Sequence, residues 1–375
     1  MRIESVEAIV VEIPNSIARR LRLITVPSTG RPTHEGLPGD GADSEIFLRV
    51  RTDTGVEGVC TASSPRLTPA VLDVIRTQVI GLDPMRREEI YQKLHLGTRW
   101  VYQTPGWFGD FDNCLWDIAG KVAGLPVCQL LGQVRDAIPA YHTGDDGTTA
   151  DHYLGVTERI RERWGITAYK FHNYAGGRAN IALFRELRPR LPDDYVLIND
   201  PVCSYALREA IEVGRVMQDL GFLWLEEPFR EQRLRDYQEL CAALTMPVMA
   251  TEMLMYDLDI CVEWLMARAT DLVRANARNG TTALVKMAHF AELHGTTVEM
   301  NAGGGLGGHV HVNLQCAIQN TLYFEHFGSH RDRALESGIT NPPAVVDGCL
   351  KPSMLPGWGA EIDWAFVGRH TVARF

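Results

Sequence analysis

The sequence predicts an α/β protein: a barrel of the TIM type that follows a smaller α+β domain. Three observations predict it. From about Ile138 onward, eight short apolar runs alternate with longer helical patterns. Polar groups recur just past the ends of those runs, at intervals of 24 to 28 residues. Before residue 130 the strand patterns come first and the helical patterns after, with no βα alternation.

The elements follow in order. Glu4–Ile13 alternates like a half-buried strand. Pro27–Asp43, rich in Gly, Pro and Asp, reads as a mobile loop. Glu45–Thr52 and Gly55–Cys60 read as a hairpin turning at Asp53-Thr54-Gly55. Helical patterns cover Pro69–Val79, Arg86–Leu94 and Asn113–Ala123, the last stopped by Gly124-Leu125-Pro126. The barrel runs are Ile138–Tyr141, Ala168–Phe171, Tyr195–Ile198, Phe222–Leu225, Val248–Ala250, Leu272–Ala275, Thr297–Met300 and Thr321–Phe324. From Asn341 the chain is dense in Pro and Gly, which predicts no helix of its own and a segment that packs back on another part. The expected division is an α+β domain over 1–130, a barrel over 131–335 and a returning segment over 336–375.

Bulk properties narrow the function. Of the 375 residues, 45% are hydrophobic and 22% charged, which is the composition of a soluble globular protein. A net charge of −10 argues against nucleic acid as a partner. No stretch approaches the roughly 18 apolar residues of a membrane span. The start, MRIESVEAIVVEIP, alternates like a strand and lacks the layout of a signal peptide. The eight cysteines are scattered with no C-x-x-C pair, as expected of reduced thiols in a cytoplasmic protein.

The residues past the strand ends carry the chemistry, because that rim builds the active site of such barrels. They are His172 in AYKFHN, Asp200 in VLINDP, Glu226 in WLEEP, Glu252 in VMATEM, Asn276 in VRANAR, Asn301 in VEMNAG and Glu325 in LYFEH. Asp200, Glu226 and Glu252 end three consecutive strands. Carboxylates converging there repel one another and need protons or a cation. Their all-oxygen donor set suits a hard ion such as Mg²⁺, which keeps positions open for water and substrate. The competing reading is three separate rim carboxylates paired with arginines. In GFLWLEEPF, adjacent strand residues face opposite ways, so Glu226 is expected to face the ion and Glu227 to point away.

These motifs resemble the enolase superfamily, and within it the mandelate racemase-like branch. The resemblance spans nearly the whole chain, through EIFLRVRTDTGVEG, CLWDIAGKVAGLPVCQLLG, the Asp/Glu/Glu spacing and the DGCLKP…LPGWGAEIDW tail. It implies a capping domain closing over a (β/α)₇β barrel, a homo-oligomer, Mg²⁺, and a small-molecule carboxylate substrate whose α-proton is removed to give an enediolate. The use of a Lys or His base with Mg²⁺ in this superfamily is an established pattern. Glu325 matches the position of a carboxyl that hydrogen-bonds the enediolate, a role that needs it protonated. Pro27–Asp43 and Thr61–Arg66 match the capping loops. Arg19, Arg20 and Arg22 would meet an anionic substrate or a neighbouring subunit.

The chain also departs from that branch. Its second barrel strand ends Lys170-Phe171-His172 where the branch commonly has K-x-K. His172 then stands at the base position, its pKa expected to be pushed down by Lys170 and the metal. Lys170 would contact the substrate or the metal-ligand carboxylates; alternatively Lys170 is the base and His172 binds substrate. The branch's Asp/His dyad is replaced by Asn276 and Asn301, and an amide accepts no proton at neutral pH. The expectation is one-sided chemistry: syn dehydration of an acid sugar to a 2-keto-3-deoxy acid, by a hydro-lyase. His142 would assist at the rim. Arg274 would hold a substrate group or serve as a structural partner of the ligands. The alternatives are a sugar-lactone or anhydro-sugar cycloisomerase, and a non-catalytic metal-binding member.

Overall fold

The computed structural model describes residues 1–14, 16–26, 29–62, 67–301 and 303–375. The first domain holds β1 (Ile3–Glu12), β2 (Arg19–Thr25), β3 (Pro32–Pro38), β4 (Ser44–Thr52) and β5 (Glu57–Ala62). Helices α1 (Pro69–Val79), α2 (Arg87–Val101), α3 (Gly109–Ala123) and α4 (Val127–Leu131) follow. Thr68 caps α1, its side chain accepting from the Val71 N–H. Gly124, at φ 68°, ends α3 where the sequence predicts a stop.

The barrel strands are β6 (Ile138–Thr143), β7 (Ala168–Phe171), β8 (Val196–Asn199), β9 (Leu225–Glu226), β10 (Val248–Ala250), β11 (Leu272–Ala275), β12 (Val298–Met300) and β13 (Phe324–Phe327). Between them run α5 (Ala150–Trp164), α6 (Gly177–Leu187), α7 (Leu207–Asp219), α8 (Leu234–Ala243), α9 (Leu258–Met266), α10 (Thr281–Leu293) and α11 (Gly307–Ala317). Then come α12 (His330–Glu336), β14 (Cys349–Leu350), α13 (Trp364–His370) and β15 (Thr371–Arg374). The parallel sheet runs β12-β11-β10-β9-β8-β7-β6-β13, so the first and last barrel strands pair.

The ladder is open between β12 and β13, and a side chain bridges the gap. The fully buried Glu299 accepts the N–H groups of Leu322 at 3.0 Å and Tyr323 at 3.3 Å. This moves the last strand from the expected Thr321–Phe324 to Phe324–Phe327, so Glu325 sits inside the strand rather than past it. Phe222–Leu225 likewise contracts to Leu225–Glu226, because the Phe222 N–H bonds back to Met217 at the end of α7.

Two other expectations are corrected. Much of the Pro27–Asp43 segment is not loop. Pro32–Pro38 pairs antiparallel with Arg19–Thr25, from Arg19↔Pro38 to Thr25↔Pro32. The two prolines stand at the strand ends, where no ladder donor is needed. Ionic pairs Arg20–Asp40 and Arg22–Glu35 lace the hairpin. The tip residues Pro27 and Ser28, and Ser63–Arg66 of the second expected capping loop, lie outside the described residues. The tail does have a helix: Asp363 caps α13 by accepting from the Phe366 N–H at 2.9 Å. It does return to the first domain, since β15 pairs antiparallel with β1 in the sheet β15-β1-β4-β5. Buried Asp117 on α3 ties these parts together. It accepts from Val59 N–H on β5 and Trp358 N–H in the tail, both at 2.9 Å. Among the described residues no helix is long and apolar enough to cross a membrane.

Candidate active site

The pleat of the barrel assembles the site. Ala168, Ile198, Trp224 and Leu272 pack together inside the barrel as one apolar layer. Two residues further along each strand, on the same face, stand Lys170, Asp200, Glu226 and Arg274. His172 continues the same face of the second strand. Lys170, His172, Asp200 and Arg274 line a cavity of about 780 Å³ whose far wall comes from the first domain, through Glu45, Thr61 and Asn113.

Asp200, Glu226, Glu252 and Glu325 all reach this end of the barrel, yet the cations that join them are the protein's own. Lys170 Nζ lies 2.5 Å from Glu325, 3.1 Å from Glu226 and 3.3 Å from Asp200. Arg274 Nε lies 3.0 Å from Glu226 and 3.2 Å from Glu252. Its Nη2 donates to Glu325 at 2.8 Å and its Nη1 to the Tyr141 hydroxyl at 3.2 Å. Arg274, 1% exposed, thus pairs with these carboxylates while still lining the cavity. Among the described residues no three His, Cys, Asp or Glu side chains are gathered about one point.

The donor chemistry nevertheless fits a hard divalent ion. Four carboxylates face two fixed cations, which leaves an excess of two negative charges when all are ionised. Burial, with Asp200 and Glu325 nearby, pushes Glu226 up to about 7 despite Arg274 and Lys170. Asp200 is lowered, Lys170 and His172 outweighing its burial. A divalent cation would compensate that excess.

Expectations about Glu325 and Glu227 are corrected. Glu325 is not kept protonated: burial favours the neutral acid, but Arg274 and Lys170 hold it well below the usual carboxylate range. Burial and Lys170 pull His172 down, but Asp200, 3.1 Å from Nε2, raises it, so the expected lowering would need the metal. Glu227 does not point away. Its φ of +38° breaks the strand alternation, so the side chain lines the same cavity and not the opposite face. There it accepts from the Cys203 thiol at 3.2 Å, and burial and neighbouring carboxylates push it up to about 9.

Lys170 is held well above its ordinary range; burial opposes this, but Glu226 and Glu325 prevail. His172 is the more open of the two, its side chain 17% exposed. Thr143 Oγ1 lies 3.1 Å from its Nδ1, and Asp146 accepts its backbone N–H at 2.9 Å. Asn276 and Asn301 also line the cavity and hydrogen-bond to each other. Asn301 Nδ2 donates to Glu252 at 3.0 Å.

His142 does not join them. Tyr141 takes the inward position on β6, so His142 faces the helices. It stacks on Trp164 and sits 3.1 Å, Nδ1 to Nδ1, from His326. Burial lowers both imidazoles, His326 to about 3. A depressed histidine supports the fold above the unfolded pKa, near 6.5, and loses that support as pH falls. The urea midpoint should therefore drop on acidification below about pH 6.5, and less steeply in His326→Gln. Equal slopes in the two proteins would exclude the pair as a contributor.

Sequence reasoning missed Glu231 and Arg278. The buried Glu231 accepts the N–H groups of Thr251, Glu252 and Met253, which orients Glu252. Its signal was faint, an acid five residues past Glu226. Arg278 lines the cavity and donates to Asn301 Oδ1 at 3.3 Å.

Comparison with known proteins agrees with this architecture. Residues 155–366 match the enolase C-terminal domain-like family model, and residues 18–132 the mandelate racemase / muconate lactonizing enzyme N-terminal domain. L-talarate/galactarate dehydratase of Salmonella typhimurium is 28% identical over 298 residues, 75% of this chain and 72% of that protein. D-mannonate dehydratase of Caulobacter sp. is 26% identical over 375 residues, covering 88% and 92%. The structure of D-glucarate dehydratase from Agrobacterium tumefaciens, complexed with magnesium, superposes with a TM-score of 0.83 at 26% identity over all of both chains. The chain belongs to the enolase superfamily, in its mandelate racemase-like branch.

Proposed function

We propose that this protein is a magnesium-dependent hydro-lyase that removes water from an acid sugar to give a 2-keto-3-deoxy acid. The observation that carries the proposal is the contrast between the strand ends; His311, which also lines the cavity, is taken up by the Ala277 N–H at 3.2 Å. His172 presents an imidazole on one wall, and the amides Asn276 and Asn301, bonded to each other, stand where a second base would be needed. The dehydratase names and the bound magnesium of the relatives support it.

Asp200, Glu226 and Glu252 would hold the ion. When bound, Mg²⁺ supplies a positive charge that lowers the barrier to ionising the substrate's α-carbon. His172 takes the α-proton as the C–H electrons move into the carboxylate. Lys170 and Arg274, buried and permanently charged, stabilise the enediolate without reorganising. The electrons then return, the bond to the β-hydroxyl breaks, and the oxygen leaves as water with the proton from His172. The resulting enol gains a proton at C3 and becomes the 2-keto acid. Acid and base on one face make the elimination syn.

The test is a panel of mono- and diacid sugars with magnesium-loaded protein in D₂O, followed by NMR and by a semicarbazide assay. A 2-keto acid from one sugar is the expected result. Exchange of the α-proton with no keto acid would instead indicate isomerase or cycloisomerase chemistry. No exchange and no product, with metal binding intact, would overturn catalysis altogether.

A further inference from the structure

The cations of the cavity differ in how they are matched. Lys170 and Arg274 are paired with carboxylates at every turn. Arg333 is paired with Asp43 and Glu45. Two cavity-lining cations belong to no ion pair among the described residues: Arg19, which is exposed to water, and Arg278, which is half-buried. The Nη2 of Arg278 reaches only the neutral amide of Asn301, and its Nε is buried without a hydrogen-bond partner. A guanidinium stripped of water at one nitrogen and given no anion is costly to keep. This one sits in a chain of net charge −10, facing the reaction cavity.

The backbone holds it there. Asn276 Oδ1 accepts the Arg278 N–H at 2.8 Å and so caps the short turn Ala277–Asn279. The side chain then lies two hydrogen bonds from Glu252, through Asn301. It stands apart from the Lys170 cluster, but within the same cavity.

We infer that Arg278 is the subsite for a second carboxylate, and that the substrate is a dicarboxylic sugar acid. A planar fork with free donors matches a carboxylate geometrically and electrostatically, whereas a terminal hydroxymethyl group would leave the charge unanswered. This inference rests on the acid-sugar reading and names its substrate class.

The experiment compares hexarates with the hexonates of the same C2–C5 configuration, which differ only at C6. In wild-type protein the better hexarate should exceed its hexonate in kcat/KM by about 10- to 100-fold, the range of a charge-assisted bidentate contact. Arg278→Met should abolish that preference by raising KM for the hexarate and leaving the hexonate nearly unchanged. Arg278→Lys, which keeps the charge without the fork, should restore part of it. Calorimetry in the His172→Asn background reads binding separately from turnover. Arg278-dependent hexarate binding with no turnover by the parent protein would sink the dehydratase reading and leave the subsite standing. Hexarate binding that survives Arg278→Met, equal losses for both members of a pair, or no hexarate binding by the parent would overturn the subsite. Melting temperatures identify any variant that fails to fold, and Arg278→Gln then replaces it.

Discussion

His172→Asn should lower turnover of the best acid sugar by about 10²- to 10⁴-fold, the contribution of a positioned base. Asparagine retains a donor toward Asp200, so the cluster keeps its hydrogen bond and the fold its stability. The loss should appear in kcat rather than KM, and in α-proton exchange as well as in product. Unchanged exchange would transfer the role to Lys170, against its burial and its salt bridges to Glu226 and Glu325. A titration adds a second reading. Asp200 raises His172 in the metal-free protein. Magnesium on Asp200 would compete with the imidazolium, so the His172 NMR titration should move to lower pH when the ion is added. An unmoved titration would mean that Asp200 is not a ligand.

Arg274→Met should be the most disruptive single change in the barrel. Arg274 is 1% exposed and contacts Glu226, Glu252 and Glu325 at once. Methionine fills much of the volume but leaves Lys170 as the cation that still meets Glu226 and Glu325, and leaves Glu252 to the Asn301 amide. Breaking a buried ion pair in this way costs about 3–5 kcal/mol. The sign with pH follows from Glu325, which is held low chiefly against its own burial by Arg274 and Lys170. A depressed carboxylate stabilises the fold above its unfolded pKa, near 4.3, and that support fades as pH falls. The variant should therefore lose stability most at neutral pH and converge on the parent in acid. Urea denaturation at pH 7 and at about pH 2, where the support is largely lost, measures both. A loss below 1 kcal/mol at pH 7 would show that Lys170 suffices to neutralise the cluster.

Much of the site was legible in the chain. A βα unit has a nearly constant length, and a strand has a period of two. Those two regularities are enough to bring Asp200, Glu226, Glu252 and Glu325 to one end of the barrel, with Lys170 and His172 on one face. The same local grammar marks β1, β4, β5 and α1 to within a few residues. It fails where another part of the chain intervenes. The Pro32–Pro38 strand exists because Arg19–Thr25 pairs with it. The last barrel strand starts late because Glu299, from the neighbouring strand, takes its N–H groups.

The sequence by itself determined the barrel and the strand ends that carry the carboxylates and the two amides, because each depends on spacing along one strand or one βα unit. Only the tertiary structure decided which cation meets which carboxylate, that His142 turns outward against Trp164, that Glu227 bends back into the cavity, and that Arg278 is left without an anion. Those outcomes depend on barrel closure and on the first domain covering its mouth. They follow from distances between residues far apart in the chain, and no local period encodes such distances.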